Sequence, residues 1–348
     1  MRSIKFILFF SLFASSGFAQ KGINFLKTNN LNTAITAAKQ QNKLLFVEVY
    51  APDCHICNSF KGTFAQPQVG ALYNAKFVSY QLDIRKPESQ RILQQLKVII
   101  NATPTFLYFE PKTMKLVQAK AFGERENSIL NVNSIGQKAT NPAEQAGNFA
   151  AKFKSGDRGF AFLLNYAQFA RLTADTLTNI KVVNELVKVM PSNQYISQSA
   201  LNIIQMVMMN NNNSLFDYFV GHLAQYNRIA EPGLVKMIYE NVFQIVMTSS
   251  QVNKLTGAEL KRMKDQMVKC EIDQGSIIRR TWMAESTLLF KQKKAMAAIK
   301  VIENLIQALP SAPGPKEYQY LCDFVKSKTK DKAAIKFAQT NWCKFGIR

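Results

Sequence analysis

Two cysteines in the first part of the sequence, Cys54 and Cys57, are separated by only two residues. At this spacing the sulfurs can close a small disulfide ring or open to a dithiol with little movement of the chain. The apolar run Leu44–Tyr50 before them predicts a buried strand, and the segment after them predicts a helix to about Gln66. The positive end of such a helix lowers the pKa of the Cys54 thiol below that of a free cysteine. The pair therefore predicts thiol–disulfide exchange, with Cys54 as the nucleophile and Cys57 as the resolving thiol.

A zinc site and a static disulfide are the alternative interpretations of this pair. Zinc would need two further ligands, but the only histidines are His55 and His222, and no second close cysteine pair follows. A static disulfide stays an alternative on spacing alone. Cys322 and Cys343 are spaced to close a loop of about 20 residues, which leaves Cys270 unpaired and predicts that it is buried. No metal or bound cofactor is predicted.

Helices and strands alternate along the first half of the sequence. The predicted helices are Asn32–Gln41, the segment from the cysteines to Gln66, and Glu88–Lys97. The predicted strands are Leu44–Tyr50, Lys76–Leu82, Thr105–Phe109 and Leu116–Ala119. This order predicts one α/β domain over residues 20–138, a mixed sheet flanked by helices that ends in a hairpin.

The second half of the sequence contains only helical patterns. Asn141–Glu144 is a typical helix start, with Asn as the N-cap and Pro at the first helical position. The predicted helices are Pro142–Lys154, Phe160–Ala174, Leu177–Met190, Gln194–Asn210, Leu215–Tyr226, Leu234–Thr248, Gly257–Cys270, Ser276–Gln292, Lys294–Leu309, Glu317–Ser327 and Lys332–Trp342. Asn210–Asn213 is predicted to be a polar loop. We expect an all-α domain of helical hairpins over residues 139–348, without a fixed repeat period.

The N-terminal residues have the order of a secretory signal peptide. Arg2 and Lys5 precede the apolar run Phe6–Ala14, and small residues lead to Ala19, after which we expect cleavage. Residues 1–19 therefore predict a periplasmic or secreted protein without a transmembrane span in the mature chain. The formal net charge of +21 is spread over both halves without a basic patch or a base-reading motif, so nucleic acid is not an expected partner.

The residues around the cysteines resemble the thioredoxin superfamily. The run from Phe46 to Cys57 is similar to the active-site strand and turn of that family, and Ala102–Phe106 also fits it. The likeness covers about residues 30–125 and is closest to the exported branch that includes the C-terminal domain of the DsbD electron transporter. It implies a thioredoxin-like fold and a redox-active Cys54–Cys57 disulfide.

The resemblance also implies roles for four other residues. Glu48 occupies the position of the family's buried acid, which exchanges a proton with the resolving thiol and whose pKa burial should raise. Pro104 matches the cis-proline opposite the dithiol, and Thr103 beside it would bind an extended substrate through its backbone. His55 lies between the cysteines, where a protonated imidazole would stabilise the thiolate.

Asp53 departs from the family pattern, because a Trp usually stands before the first cysteine. Its carboxylate is expected to oppose the effect of His55 on the Cys54 thiolate and to alter the substrate-binding surface. The sequence thus predicts an exported thiol:disulfide oxidoreductase that reduces oxidised exported proteins and receives electrons from a membrane thiol donor. The alternatives are a disulfide oxidase or isomerase, and a partner-binding protein in which the helical domain does the binding.

Overall fold

The computed structural model describes residues 22–346, so the predicted signal peptide lies outside the described residues. Contacts divide the chain into two compact units. The first contains the residues up to Leu96 together with Ala102–Asn148. The second contains Lys97–Asn101 together with the chain from Phe149 onward. The first unit therefore ends later than the predicted boundary at residue 138, and it lacks a short internal segment that belongs to the helical unit.

The first unit is a four-stranded mixed sheet flanked by helices, as predicted. Its strands are β1 (Leu44–Tyr50), β2 (Phe77–Asp83), β3 (Thr105–Glu110) and β4 (Lys115–Ala121). Its helices are α1 (Leu31–Gln41), α2 (His55–Phe64), α3 (Pro67–Lys76), α4 (Pro87–Gln95) and α5 (Ile129–Thr140). The strand order is β2-β1-β3-β4, in which β2 runs parallel to β1 and β3 runs antiparallel to both β1 and β4.

An aromatic cluster on one face of the sheet fixes helix α2 against β1 and β3. Phe46 on β1 is fully buried, and its ring contacts those of Phe106 and Tyr108 at centroid distances of 5.1 Å. Phe60 on α2 packs edge-on against Phe106 at 5.5 Å. Burying an aromatic side chain of this kind contributes about 1.5–3 kcal/mol. The cluster thereby holds the N-terminus of α2 at the end of β1.

Two helices of the first unit were absent from the sequence prediction. Pro67 starts α3 directly after α2 ends, where the sequence predicted no helix. The α5 sequence is rich in Asn, Ser, Gly and Thr, which have low helix propensity. Packing stabilises α5 instead, because Gly136 lets the helix approach Tyr73 so closely that an added Cβ would lie 3.3 Å from its ring.

The second unit is all-helical in its described residues apart from the segment Lys97–Asn101. Its helices are α6 (Phe149–Lys154), α7 (Phe160–Leu172), α8 (Thr176–Val189), α9 (Gln198–Met206), α10 (Ser214–Gly221), α11 (Leu223–Tyr226), α12 (Pro232–Thr248), α13 (Gly257–Lys269), α14 (Gln274–Lys291), α15 (Ala295–Ala308), α16 (Pro315–Lys328) and α17 (Lys332–Ala338). A π turn (Gln339–Cys343) and a last helical turn (Lys344–Gly346) follow. Within residues 22–346, no helix is both long and apolar enough to cross a membrane.

Three predicted helices are shorter or interrupted in the structure. The prediction of one helix over Pro142–Lys154 was wrong, because Gln145 is extended and separates two 3₁₀ turns that precede α6. Extended Ser197 delays the start of α9, and a non-helical His222 divides the predicted Leu215–Tyr226 helix in two. The polar side chains at these points cap or end helices instead of continuing them.

The remaining cysteines and the asparagine loop take structural roles in the helical unit. Cys322 and Cys343 form a disulfide, a pairing that their spacing allowed but did not decide, and it ties α16 to the π turn. Cys270 is free and buried, and burial raises the pKa of its thiol to about 12. The loop Asn210–Asn213 is largely buried, and Asn211 donates to the Gln266 side chain at 2.7 Å. This polar loop is therefore part of the packed interior.

Candidate active site

The candidate site lies at one edge of the sheet, where β1, β2 and β4 end and β3 begins. This arrangement follows from the strand directions, because β1, β2 and β4 run the same way and β3 runs the opposite way. The connections that leave these strands carry the cysteines, two charged residues and the Thr103–Pro104 dipeptide. The fold thus brings together side chains that are up to about 70 residues apart in sequence.

Cys54 is the N-cap residue of α2, and its backbone is extended. Its Sγ accepts a hydrogen bond from the backbone N–H of Cys57 at 3.1 Å, so the start of the helix is directed at this sulfur. Cys54 is half-buried, whereas Cys57 is only 4% exposed. The two sulfurs are joined in a disulfide with a Cα–Cα distance of 5.3 Å. The pair is therefore asymmetric, with Cys54 partly exposed and Cys57 enclosed.

The Thr103–Pro104 loop faces the accessible sulfur. The peptide bond between these residues is cis, as the resemblance implies. The Thr103 carbonyl oxygen lies 3.4 Å from Cys54 Sγ, which is hydrogen-bonding distance for a thiol in the reduced form. Thr105 holds the loop by donating its hydroxyl proton to the carbonyl of Ala102 at 2.7 Å. Both predicted substrate-binding residues of this loop thus lie beside the dithiol.

Glu48 lies in the middle of β1 and is 2% exposed. Burial raises the pKa of its carboxyl group to about 7, although a hydrogen bond from Gln81 and the charge of Lys61 act in the opposite direction. Gln81, its register partner on β2, donates from Nε2 to Glu48 Oε2 at 2.7 Å. A carboxyl group with this pKa exchanges protons near neutral pH. Gln81 was absent from the sequence prediction, because strand register decides which residue faces Glu48.

The two side chains next to Cys54, those of Asp53 and His55, each contact an ionisable side chain from another connection. Asp53 Oδ1 lies 3.1 Å from Nη1 of Arg85, and His55 Nε2 lies 3.0 Å from Oε1 of Glu124. All four side chains are at least half exposed. The expectation that Asp53 and His55 act in opposite directions on Cys54 stays a prediction, and it did not include these two partners. The sequence prediction missed Arg85 and Glu124, although both directly follow strands that end at the edge where Cys54 lies.

Replacing Arg85 by glutamine should slow the reaction of reduced Cys54, since it leaves the Asp53 carboxylate unpaired beside the thiolate. Exposed ion pairs contribute about 0.2–1 kcal/mol, so we expect a rate decrease of about two- to fivefold. The measurement is alkylation of the dithiol by iodoacetamide at low ionic strength. Asp53→Asn/Arg85→Gln is the matched control and should restore the rate. A decrease that persists unchanged in 1 M salt would contradict this electrostatic explanation.

Within residues 22–346, no group of His, Cys, Asp and Glu side chains is arranged to hold a metal ion. His222, the second histidine, lies in the helical unit, where its ring stacks on Tyr218 at 3.8 Å. The Cys54–Cys57 pair therefore has no zinc-ligand partner among the described residues.

Comparison with known proteins identifies the first part of the chain. Residues 27–111 match a family model described as thioredoxin-like. A thioredoxin from Thermus thermophilus, determined in solution, is similar at 23% identity; the match covers 32% of this chain and 85% of that one, with a TM-score of 0.28. No curated protein matches the chain. The narrower likeness to the DsbD branch stays a prediction.

The match to the family model includes both cysteines, Glu48 and the Thr103–Pro104 loop. It extends over most of the mixed sheet and ends within the hairpin. Together with the position of the disulfide at the start of α2, it suggests thiol–disulfide redox activity. The first unit of this chain is a thioredoxin-like domain.

Proposed function

We propose that the protein is an exported thiol:disulfide oxidoreductase that reduces disulfides in other exported proteins. The observation that carries this proposal is the asymmetry of the dithiol, in which a half-exposed Cys54 at a helix N-cap lies beside an enclosed Cys57. A disulfide with only a structural role requires neither a partly exposed cysteine at a helix start nor a buried acid in the same fold. No bound cofactor takes part in this reaction.

The reaction begins with the reduced dithiol. The Cys54 thiolate attacks one sulfur of a substrate disulfide, and the other substrate sulfur leaves as a thiolate. Cys57 then loses its proton, for which Glu48 is the proposed acceptor, and attacks Cys54 Sγ. This step releases the second substrate thiolate, which takes up a proton, and it leaves the Cys54–Cys57 disulfide. Two electrons have passed to the substrate, and a dithiol donor must restore the reduced form.

An extended segment of substrate is the proposed binding partner of the Thr103–Pro104 loop. The Thr103 backbone lies next to Cys54, so a strand that pairs with it would place its own cysteine against this sulfur. Asp53 and His55 flank this position as two ion pairs in place of an apolar platform. We therefore expect substrates with polar residues around the reactive disulfide.

The direction of electron flow is tested by the reduction potential of the Cys54–Cys57 pair. We expect a value near that of thioredoxin, about −270 mV, because the reductase role requires a stable disulfide in this protein. The measurement is equilibration with mixtures of reduced and oxidised glutathione, followed by alkylation of free thiols. A value near −120 mV, as for a strong oxidant, would favour the oxidase alternative instead. The export part of the proposal is tested separately, by locating the mature N-terminus in cell fractions.

A further inference from the structure

The helical unit contains a cavity of about 990 Å³, which is within the range of small-molecule binding sites. Helices α7, α9, α12 and α14 contribute to its wall, and so does the short segment Ile99–Asn101. This segment is fixed in the unit by two hydrogen bonds. Ile99 N donates to the Leu172 carbonyl at 2.7 Å, and Asn101 Nδ2 donates to the Met206 carbonyl at 2.9 Å. None of the residues that line this cavity belongs to the cysteine site.

Arg171 lines this cavity and is 95% buried, with an exposed fraction of 5%. Its Nη1 donates both protons, to the carbonyl of Gln205 at 2.7 Å and to that of Met208 at 3.2 Å. Burial lowers the pKa of the guanidinium to about 10, so the group is still charged at neutral pH. Arg171 is thus a cation held in place by backbone carbonyls at the cavity wall.

Neither of these hydrogen bonds involves Nε or Nη2, which form the other edge of the Arg171 guanidinium. This edge presents two parallel N–H donors, the arrangement that binds a carboxylate through two hydrogen bonds.

No carboxylate within residues 22–346 forms an ion pair with this charge. Glu240, the acid in the cavity lining, pairs with Arg280 through both of its oxygens. No ion pair of the described residues includes Arg171. A buried, unpaired cation destabilises a protein strongly unless a counter-ion reaches it. Arg171 is therefore a cation in the cavity lining without an acidic partner among the described residues.

The rest of the lining includes a strip of apolar side chains. Ile99 and Met237 are 55% and 53% exposed, and Ile238 and Ile245 lie deeper. We propose that this cavity binds a small organic anion, whose carboxylate pairs with the guanidinium of Arg171 and whose apolar chain lies along Ile99, Met237 and Ile245. This inference is independent of the proposed reductase function, since it uses none of the residues around Cys54.

The test compares matched ligands on the oxidised full-length protein by isothermal titration calorimetry. Decanoate and decan-1-ol share an apolar chain and differ in the carboxylate, so we expect decanoate to bind at least tenfold more tightly. Acetyl-trileucine and its amide form a second pair and distinguish a peptide C-terminus from a fatty acid as the source of the carboxylate. Equal binding within both pairs, or no binding at millimolar concentration, would overturn the proposal.

Two variants locate the site. Arg171→Gln should reduce the affinity for the tighter-binding acid at least tenfold and leave the affinity for its neutral analogue unchanged. Because this change removes hydrogen bonds to two carbonyls, Met237→Glu serves as a second variant at an exposed position. Its carboxylate should repel the acid, whereas Met237→Gln should bind it like the wild type. If the acid binds all four proteins equally, the carboxylate site is not in this cavity.

Discussion

Cys54→Ser should lower the rate of insulin reduction by roughly 1,000-fold or more, because an alcohol at this position cannot supply the attacking thiolate. The assay follows the turbidity of reduced insulin with dithiothreitol as the electron donor. Cys54 is the half-exposed member of the pair, and its Sγ lies beside the Thr103 carbonyl. The remaining thiol, Cys57, is too enclosed to replace it as the nucleophile.

Cys57→Ser is the matched control for this experiment, because it removes the other sulfur and leaves Cys54 in place. Turnover should again be lost, but Cys54 should now accumulate as a mixed disulfide with insulin, visible by mass spectrometry. Cys54→Ser should give no such adduct. If the two variants form adducts equally, the assignment of nucleophile and resolving thiol is wrong. If the wild type is as inactive as Cys54→Ser with several dithiol donors, the reductase proposal fails.

Glu48→Gln should raise the free energy of unfolding by about 3 kcal/mol at pH 8 and by close to nothing at pH 4. Burial raises the pKa of Glu48 in the folded protein to about 7, whereas an unfolded Glu has a pKa of about 4.3. Between these values the unfolded chain releases a proton that the folded protein keeps, so stability falls as the pH rises from about 4.5 to 7. Above pH 7 the wild type has lost all of this stability. Glu48→Gln has no carboxyl group at this position and does not lose it, which gives the difference between the two proteins at pH 8.

Glutamine suits this test because its side-chain oxygen can still accept the hydrogen bond from Gln81. The measurement is urea unfolding of the oxidised protein at a series of pH values, followed by a spectroscopic signal that reports on the first unit alone. Glu88→Gln, at an exposed position on α4, is the control and should change stability little at any pH. A gain for Glu48→Gln that is the same at pH 4 and pH 8 would contradict a raised pKa. A fall in insulin reduction by the same variant would support the proton-acceptor role.

The sequence predicted most elements of the first unit because their signals are local. Continuous apolar runs mark β1 and β3, and the helix after the cysteines follows from its own periodicity. The order of these elements was sufficient to predict a mixed sheet. Helix α5 has no comparable signal, since its sequence has low helix propensity. Its buried side chains, such as Val132 and Ile135, and the close approach at Gly136 stabilise it.

The site was predicted from sequence only where residues lie near the cysteines or match a known motif. Glu48 and Pro104 are identified by the resemblance to thioredoxins, and the structure places Pro104 in a cis peptide bond. The partners Gln81, Arg85 and Glu124 depend on strand register and on which strand ends meet, and neither follows from local pattern. The prediction for Asp53 and His55 therefore did not include the partners that each side chain has.

Prediction from the sequence is limited in the same way in the helical unit. Its helix periodicity predicted most of the helices, but the sequence analysis assigned no role to Arg171, the one charged residue of α7. Its burial results from the way α7, α9 and the Met208 carbonyl come together. Contacts between distant helices decide whether a charge is solvated or enclosed, so no feature of the sequence indicated a cavity with an unpaired cation.

Because of the segment Lys97–Asn101, neither half of this protein can be exchanged without affecting the other. It packs with the helices, yet the chain on either side of it belongs to the thioredoxin-like domain. A gene fusion that exchanged residues 20–138 for a thioredoxin would remove Ile99 and Asn101 from the helical unit and open the wall of its cavity. Such a replacement must keep these five residues just before the Thr103–Pro104 loop. We therefore expect the two halves to stay together in one chain during evolution.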